Sequence, residues 1–151
     1  MKKQIVFICA GNTCRSPMAE ALFRQILGQA GLSERFDVSS AGLAAFPGDG
    51  AAFCAGEVMR EYGLDLSVHR SRPFTGELFA EADWIVAMTQ AQKQGVLQLH
   101  QGPKQVVSLG EFTDGDITDP FGGNTESYRR CAAKIENALK SFLTLLKEDG
   151  K

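Results

Sequence analysis

A short buried strand that runs straight into a helix start constrains this chain more than any other feature. Ile5 to Ile8 is a β-branched and aromatic run, the pattern of a strand covered on both faces. Ser16-Pro17 reads as a helix start, because serine offers a capping oxygen and proline has no donor to waste there. Met18, Ala21, Leu22, Ile26 and Leu27 then recur at helical spacing. Cys9 stands at the entrance of the intervening turn and Arg15 at its exit, with Ala10, Gly11, Asn12, Thr13 and Cys14 between them.

A loop wrapping onto a helix N-terminus gathers backbone N–H groups into one concavity, and the macrodipole adds positive potential. Such a nest, here Ala10 to Cys14 with Ser16, suits a tetrahedral oxyanion such as phosphate. Gly11 permits close backbone approach, and Asn12 tolerates the left-handed conformation a turning loop needs. Arg15 adds a planar fork for two phosphate oxygens. The same field favours the thiolate of Cys9, and the Ser16 hydroxyl can donate to it. A thiolate beneath a bound phosphate is a nucleophile aimed at phosphorus. Taken singly, Cys9 reads as a small buried hydrophobe and Arg15 as a surface charge. Only the catalytic reading explains the loop composition and the helix start together. A Walker A loop is excluded, since it needs a lysine and none falls between Lys3 and Lys93.

The remaining features fit an enzyme of one domain, expected to span residues 1–151. A net charge of −2 gives no basic footprint for nucleic acid. No apolar run approaches the roughly 18 residues of a membrane span, and no signal peptide precedes the first strand. Four cysteines in a domain of this size need not be staples. A reducing cytoplasm is therefore the expected home. No metal or cofactor is expected either: Cys9 and Cys14 lack a second close pair, and His69 and His100 stand without ligand spacing.

Along the chain, strands are expected at Phe36 to Ser40, Trp84 to Met88 and Gln105 to Leu109. Helices are expected at Ala51 to Tyr62, Thr75 to Ala82, Gln90 to Leu99 and Thr125 to Glu148. The second of these five helices, counting the one after Ser16, should bury Phe53, Val58, Met59 and Tyr62. Cys54 and Cys131 read as packing residues, and Phe46 as exposed in a Gly- and Pro-rich loop. This alternation predicts a single-domain α/β fold: a four-stranded parallel sheet in three layers, with helices on both faces. Loops at the carboxyl ends of its strands would form the site.

A thiolate displaces a leaving group from phosphorus only if an acid supplies a proton. Asp119 is the leading candidate, with Pro120 stiffening its backbone and Ile117 and Phe121 expected to shield it and favour the neutral acid. An Asx-turn aspartate before proline is the alternative reading, and Asp114 and Asp116 are further candidates.

Cys9 to Glu20, reading Cys-Ala-Gly-Asn-Thr-Cys-Arg-Ser-Pro-Met-Ala-Glu, together with Asp119-Pro120-Phe121-Gly122-Gly123, closely resembles the low-molecular-weight protein tyrosine phosphatase family. The resemblance covers essentially the whole chain. It implies a flavodoxin-like sheet and a metal-free reaction in two steps, acting on phosphorylated proteins and releasing inorganic phosphate. By the same resemblance Cys9 attacks, Arg15 holds the phosphoryl oxygens, and Asp119 is acid and then base. Ser16, Asn12, Ser40 and His69 match positions that brace the phosphate loop. Thr13 and Phe121-Gly122-Gly123 resemble the bacterial protein-arginine phosphatase branch, since tyrosine-directed members usually carry an aliphatic residue at the first position. Thr13 and Asp119 could accept from a phosphoarginine guanidinium, whereas Phe46 and Phe121 could wall a phosphotyrosine ring. Phosphoarginine is the favoured substrate and phosphotyrosine the alternative. An arsenate reductase would need cysteines between Asp83 and Gln98, and none occurs. A phosphate-binding module without catalysis would need neither thiolate nor acid. Cys9 and Cys14 form a possible redox pair, with simple packing of Cys14 as the alternative.

Overall fold

The initial buried run becomes β1 (Lys3–Cys9), an interior strand of a sheet completed by β2 (Phe36–Gly42), β3 (Trp84–Ala87) and β4 (Gln105–Ser108). The structure, a computed structural model, describes residues 1–102 and 104–149, so residues 150 and 151 of the expected domain lie outside the described residues. Strand order is β2-β1-β3-β4, with every pairing parallel, and this is a flavodoxin-like arrangement. The chain leaves β1 toward one edge and returns to β3 on its other side. That reversal makes the carboxyl end of β1, where Cys9 sits, the place for a ligand.

Alternation along β1 sorts the core. Ile5, Phe7 and Cys9 join the layer built by α1 (Arg15–Gln29), α2 (Phe53–Glu61) and α5 (Thr125–Asp149). Val6 and Ile8 join the thinner layer under α3 (Gly76–Glu81) and α4 (Gln90–Leu99). Phe7 meets Phe23 edge-on at 5.8 Å between ring centroids, and Phe142 lies 5.5 Å from both Phe23 and Trp84. Each such fully buried ring contributes about 1.5–3 kcal/mol. The layer carrying Cys9 is thus anchored by the heaviest packing in the molecule.

Most element boundaries fall within two residues of expectation, and the caps explain why. Thr75 and Thr89 each accept from the amide three residues on, at Leu78 and Gln92. Gly31 ends α1 with φ at 72°: its N–H reaches the Gly28 carbonyl and that of Leu32 reaches Leu27, a Schellman motif. Three expectations need correction. α1 starts at Arg15 with Cys14 as its cap, so Ser16 lies inside the first turn and caps nothing. Pro17 is tolerated there because first-turn amides have no partner within the helix. Phe53 is the first residue of α2 and 74% exposed, while Ala55, Val58 and Met59 form the buried stripe. Leu109 does not extend β4 but opens a 3-10 turn (Leu109–Phe112), held by the Ser108 amide donating to Glu111 Oε2 at 2.7 Å.

Candidate active site

Asn12 is the residue on which the loop closes. Its φ of 58° turns the chain left-handed, and it is completely buried. Its Nδ2 donates to Ser16 Oγ at 2.9 Å and to Ser40 Oγ at 3.0 Å, and its Oδ1 accepts from the Arg72 amide at 3.0 Å. His69 Nε2 donates to its carbonyl at 2.7 Å, which fixes the tautomer because a carbonyl can only accept. Ser40, filled on its acceptor side by Asn12, sends its proton to Glu20 Oε1 at 2.6 Å. Ser16 Oγ accepts from Asn12 in the same way and lies 2.9 Å from Cys9 Sγ, so its hydroxyl donates to that sulfur whenever Cys9 is a thiolate. Of the two roles expected for Ser16, the contact with the sulfur is present and the cap is not.

Outside donors take the loop's carbonyls. Leu43 N reaches Cys9 O, Ala44 N reaches Ala10 O and Ala52 N reaches Thr13 O, each at 2.9 Å, while His69 holds Asn12 O. Within a planar trans peptide, N–H and C=O point in opposite directions. With these carbonyls drawn outward, the amides of Ala10, Gly11, Thr13 and Cys14 turn inward, and that is an anion nest. Sequence reading missed the glycine that makes room for it. A Cβ on Gly42 would stand 2.6 Å from Ala10 O and 3.0 Å from Asn12 N, so only glycine lets the end of β2 lie beneath the loop. Its position in a breaker-rich stretch was the only signal. Gly11 has no comparable contact inside the protein; a Cβ there would meet only Thr13 Oγ1 at 3.7 Å.

Arg15 is 5% exposed. Its Nη1 donates to Ile117 O at 2.9 Å, its Nη2 lies 3.6 Å from Asp119 Oδ2, and its buried Nε finds no acceptor. A guanidinium held this way beside a nest can meet an anion with a donor that nothing else claims. Asp119 differs from expectation in its surroundings. Its side chain is 49% exposed, Ile117 is buried in the core, and Phe121 is 77% exposed, so neither neighbour shields the carboxylate. Its Oδ1 accepts from the Phe121 amide at 3.0 Å, so the Asx turn is present as well as the pairing with Arg15. Asp114 is held by Lys134 at 3.1 Å, whose ammonium lowers its pKa, and Asp116 accepts from the Gln90 amide. Neither is turned to Arg15 by a recorded contact.

Thr13 is half-buried, and its hydroxyl contacts Cys14 Sγ at 3.7 Å rather than the backbone. Cys14 is buried, its thiol pKa is raised by that burial, and its Sγ lies 3.3 Å from Tyr128 Oη. Burial pushes the Cys131 thiol up to about 12. All four cysteines are unpaired thiols. Ala10 and Phe46 are exposed. His100 stacks on Phe79 with centroids 5.1 Å apart. Among the described residues, no group of three or more His, Cys, Asp or Glu side chains could hold a metal ion, and no helix is long and apolar enough to cross a membrane.

The model of the family described as low molecular weight phosphotyrosine protein phosphatase matches residues 4–151. A protein-arginine-phosphatase of Bacillus subtilis is 40% identical over 151 residues, covering 97% of this chain and 99% of its own. A Ralstonia nicotianae protein named probable low molecular weight protein-tyrosine-phosphatase EpsP is 38% identical, covering 99% of this chain and all of its own. Among solved structures, the YwlE arginine phosphatase, as a cysteine-to-serine mutant with phosphorylated active site serine, superposes with a TM-score of 0.89. It is 40% identical and covers 97% of each chain.

Proposed function

The chain belongs to the low molecular weight phosphotyrosine protein phosphatase family and is a phosphatase; we propose that it hydrolyses phosphoarginine in proteins through a phosphocysteine at Cys9. One observation carries the chemistry. Cys9 Sγ sits 2.9 Å from the Ser16 hydroxyl oxygen, at the foot of a loop whose carbonyls point away and beside a buried guanidinium. Phosphoryl oxygens would occupy the inward amides and Arg15. The Cys9 thiolate attacks phosphorus, the bond from phosphorus to the arginine nitrogen breaks, and the Asp119 carboxyl gives that nitrogen a proton. In the second step Asp119, now a carboxylate, takes a proton from water. The resulting oxygen nucleophile breaks the S–P bond and releases inorganic phosphate and the thiolate. Ser16 supports the sulfur as it leaves, and Asn12, Ser40 and His69 keep the loop in shape. A thiol-dependent reaction of this kind belongs in a reducing cytoplasm.

Phosphoarginine rather than phosphotyrosine is favoured by Thr13. Its hydroxyl is not spent on the backbone and can accept from a guanidinium N–H, as can the unprotonated oxygen of the exposed Asp119 carboxyl. A site built from acceptors rejects a substrate that cannot satisfy them far better than an apolar slot rejects a poor fit. Phosphotyrosine remains the second reading because Phe46 and Phe121 are both 77% exposed and could flank a ring. Purified protein should be given otherwise identical phosphoarginine, phosphotyrosine and phosphoserine peptides. The proposal expects phosphoarginine to be fastest and Thr13→Ile to move the ratio toward phosphotyrosine by about tenfold. A ratio unmoved by Thr13→Ile would contradict the role given to its hydroxyl.

A further inference from the structure

We propose that a second cavity, walled by Arg24, Arg70 and Arg72, is an anion site for a small phosphate-bearing molecule, separate from the site at Cys9. It goes beyond the reaction described above and does not depend on which phosphoresidue is cleaved.

The cavity encloses about 340 Å³ and places those three arginines beside His69, Glu20 and Asp65. Neither the loop from Cys9 to Arg15 nor Asp119 lines it. The acids in its wall are already engaged. Glu20 Oε1 accepts from Ser40 Oγ at 2.6 Å, and its Oε2 pairs with Arg24 Nη1 at 2.7 Å. Asp65 accepts from the Ser67 amide and hydroxyl, each at 2.9 Å. Arg24 is thereby neutralised, and its Nη2 donates to Val38 O at 2.7 Å. Arg70 and Arg72 differ. Arg70 Nη1 donates to the carbonyls of Ser67 and His69, at 3.2 and 2.6 Å, and Arg72 Nε donates to Ser40 O at 3.0 Å. A carbonyl anchors a guanidinium without neutralising it. Among the described residues neither arginine has an acidic partner, so two uncompensated positive charges remain in one wall.

The ligand follows from that charge and from the shape of the donors. A guanidinium is a planar fork that meets two oxygens of one anion, and two such forks call for a dianion with several oxygens. A phosphate group supplies both, and a cavity of roughly 300 Å³ or more also has room for a small organic body attached to it. The same wall is fastened to the phosphate loop. The Arg72 amide donates to Asn12 Oδ1, and His69 Nε2 donates to Asn12 O. Glu20 holds Ser40, whose hydroxyl accepts from Asn12 Nδ2. An anion bound here therefore rests on the frame that fixes Asn12 and not on the reacting atoms.

The test is an NMR titration of backbone amides in the wild-type protein and in Arg70→Glu, with inorganic phosphate and, separately, with phenylphosphonate, which cannot be hydrolysed. Two groups of amides should shift, Ala10 to Arg15 and Asp65 to Arg70 with Ala21 to Arg24, each group with its own midpoint. Arg70→Glu should weaken the second midpoint by about tenfold or more, since a charge-assisted contact becomes a repulsion. The first midpoint, and turnover of p-nitrophenyl phosphate, should stay within roughly twofold of wild type. Arg70→Lys, which keeps the charge, should restore most of the second-site binding. A tighter second midpoint for phenylphosphonate than for phosphate would identify an ester with an organic body as the occupant, and equal midpoints would identify free phosphate. The site is overturned if the second group does not shift. It is equally overturned if that group shares the midpoint of the first and still shifts in Arg70→Glu, because it would then only report the anion at Cys9.

Discussion

The two loops that meet at Arg15 are built in opposite ways. The phosphate loop is buried, and its conformation is fixed several times over: Asn12 alone makes contacts with Ser16, Ser40, Arg72 and His69. The loop carrying Asp119 is exposed, and its carboxylate has one backbone amide and a 3.6 Å approach to Arg15. A nest must hold several amides on one anion and gains by rigidity. An acid that later serves as a base must exchange protons with leaving group and water, and exposure serves that exchange. In the proposed reaction, binding and nucleophile would thus belong to the fold, whereas the proton would be carried by a side chain the fold hardly depends on.

Asp119→Asn is the sharpest way to break this comparison. It keeps the Asx-turn acceptor but cannot give a proton. The expected result is a fall in kcat of about 10²- to 10⁴-fold on poor leaving groups and far less on p-nitrophenyl phosphate. Thermal stability should fall by no more than about 1 kcal/mol, the range of a half-exposed ion pair such as that with Arg15. Equal loss across leaving groups would remove Asp119 from the acid's role.

Asn12→Ala should do the reverse and unsettle the protein itself. It strands the Arg72 amide and places a residue with a Cβ at φ 58° without the local hydrogen bonds that compensate asparagine. A loss of about 1–3 kcal/mol is expected in denaturant unfolding, together with reduced activity on every substrate alike. Wild-type stability in this variant would mean the phosphate loop is no more built-in than its partner.

The smallest effect concerns the floor of the acid loop, where Cys131 Sγ lies 3.8 Å from Thr118 O. Its folded pKa, raised by burial from 9.0 to about 12, means that the folded protein favours the neutral thiol. That contribution is fully present below pH 9 and disappears as pH rises toward 12, so alkaline stability should decline more steeply in wild type than in Cys131→Val. Parallel stability curves for the two proteins would show that the thiol is not held as described.

Much of this was legible in the chain. Strand periodicity, threonine caps and the spacing of apolar residues on α5 follow from local physics, and so did the order of elements. Cys9, Arg15 and Asn12 stood out because their residue types are costly anywhere but in a nest. Long-range sterics were not legible: nothing local marks Gly42 as the glycine beneath Ala10. A serine before proline has the same local signature whether it caps amides or faces a sulfur, and of the two roles expected for Ser16 only the second is present. Phe53 fitted the apolar period of α2, but it is the first residue of that helix and stays in solvent while Ala55, Val58 and Met59 are buried. The exposure of Asp119 was hidden in the same way, since flanking Ile117 and Phe121 say nothing of where they point.

The most direct measurement is rapid quenching of wild-type protein during turnover, followed by peptide mass spectrometry. The account predicts the mass of one phosphoryl group on the peptide containing Cys9, and no turnover after Cys9→Ser. Hydrolysis that continues in Cys9→Ser, with no phosphoryl group on that peptide in the wild type, would contradict it.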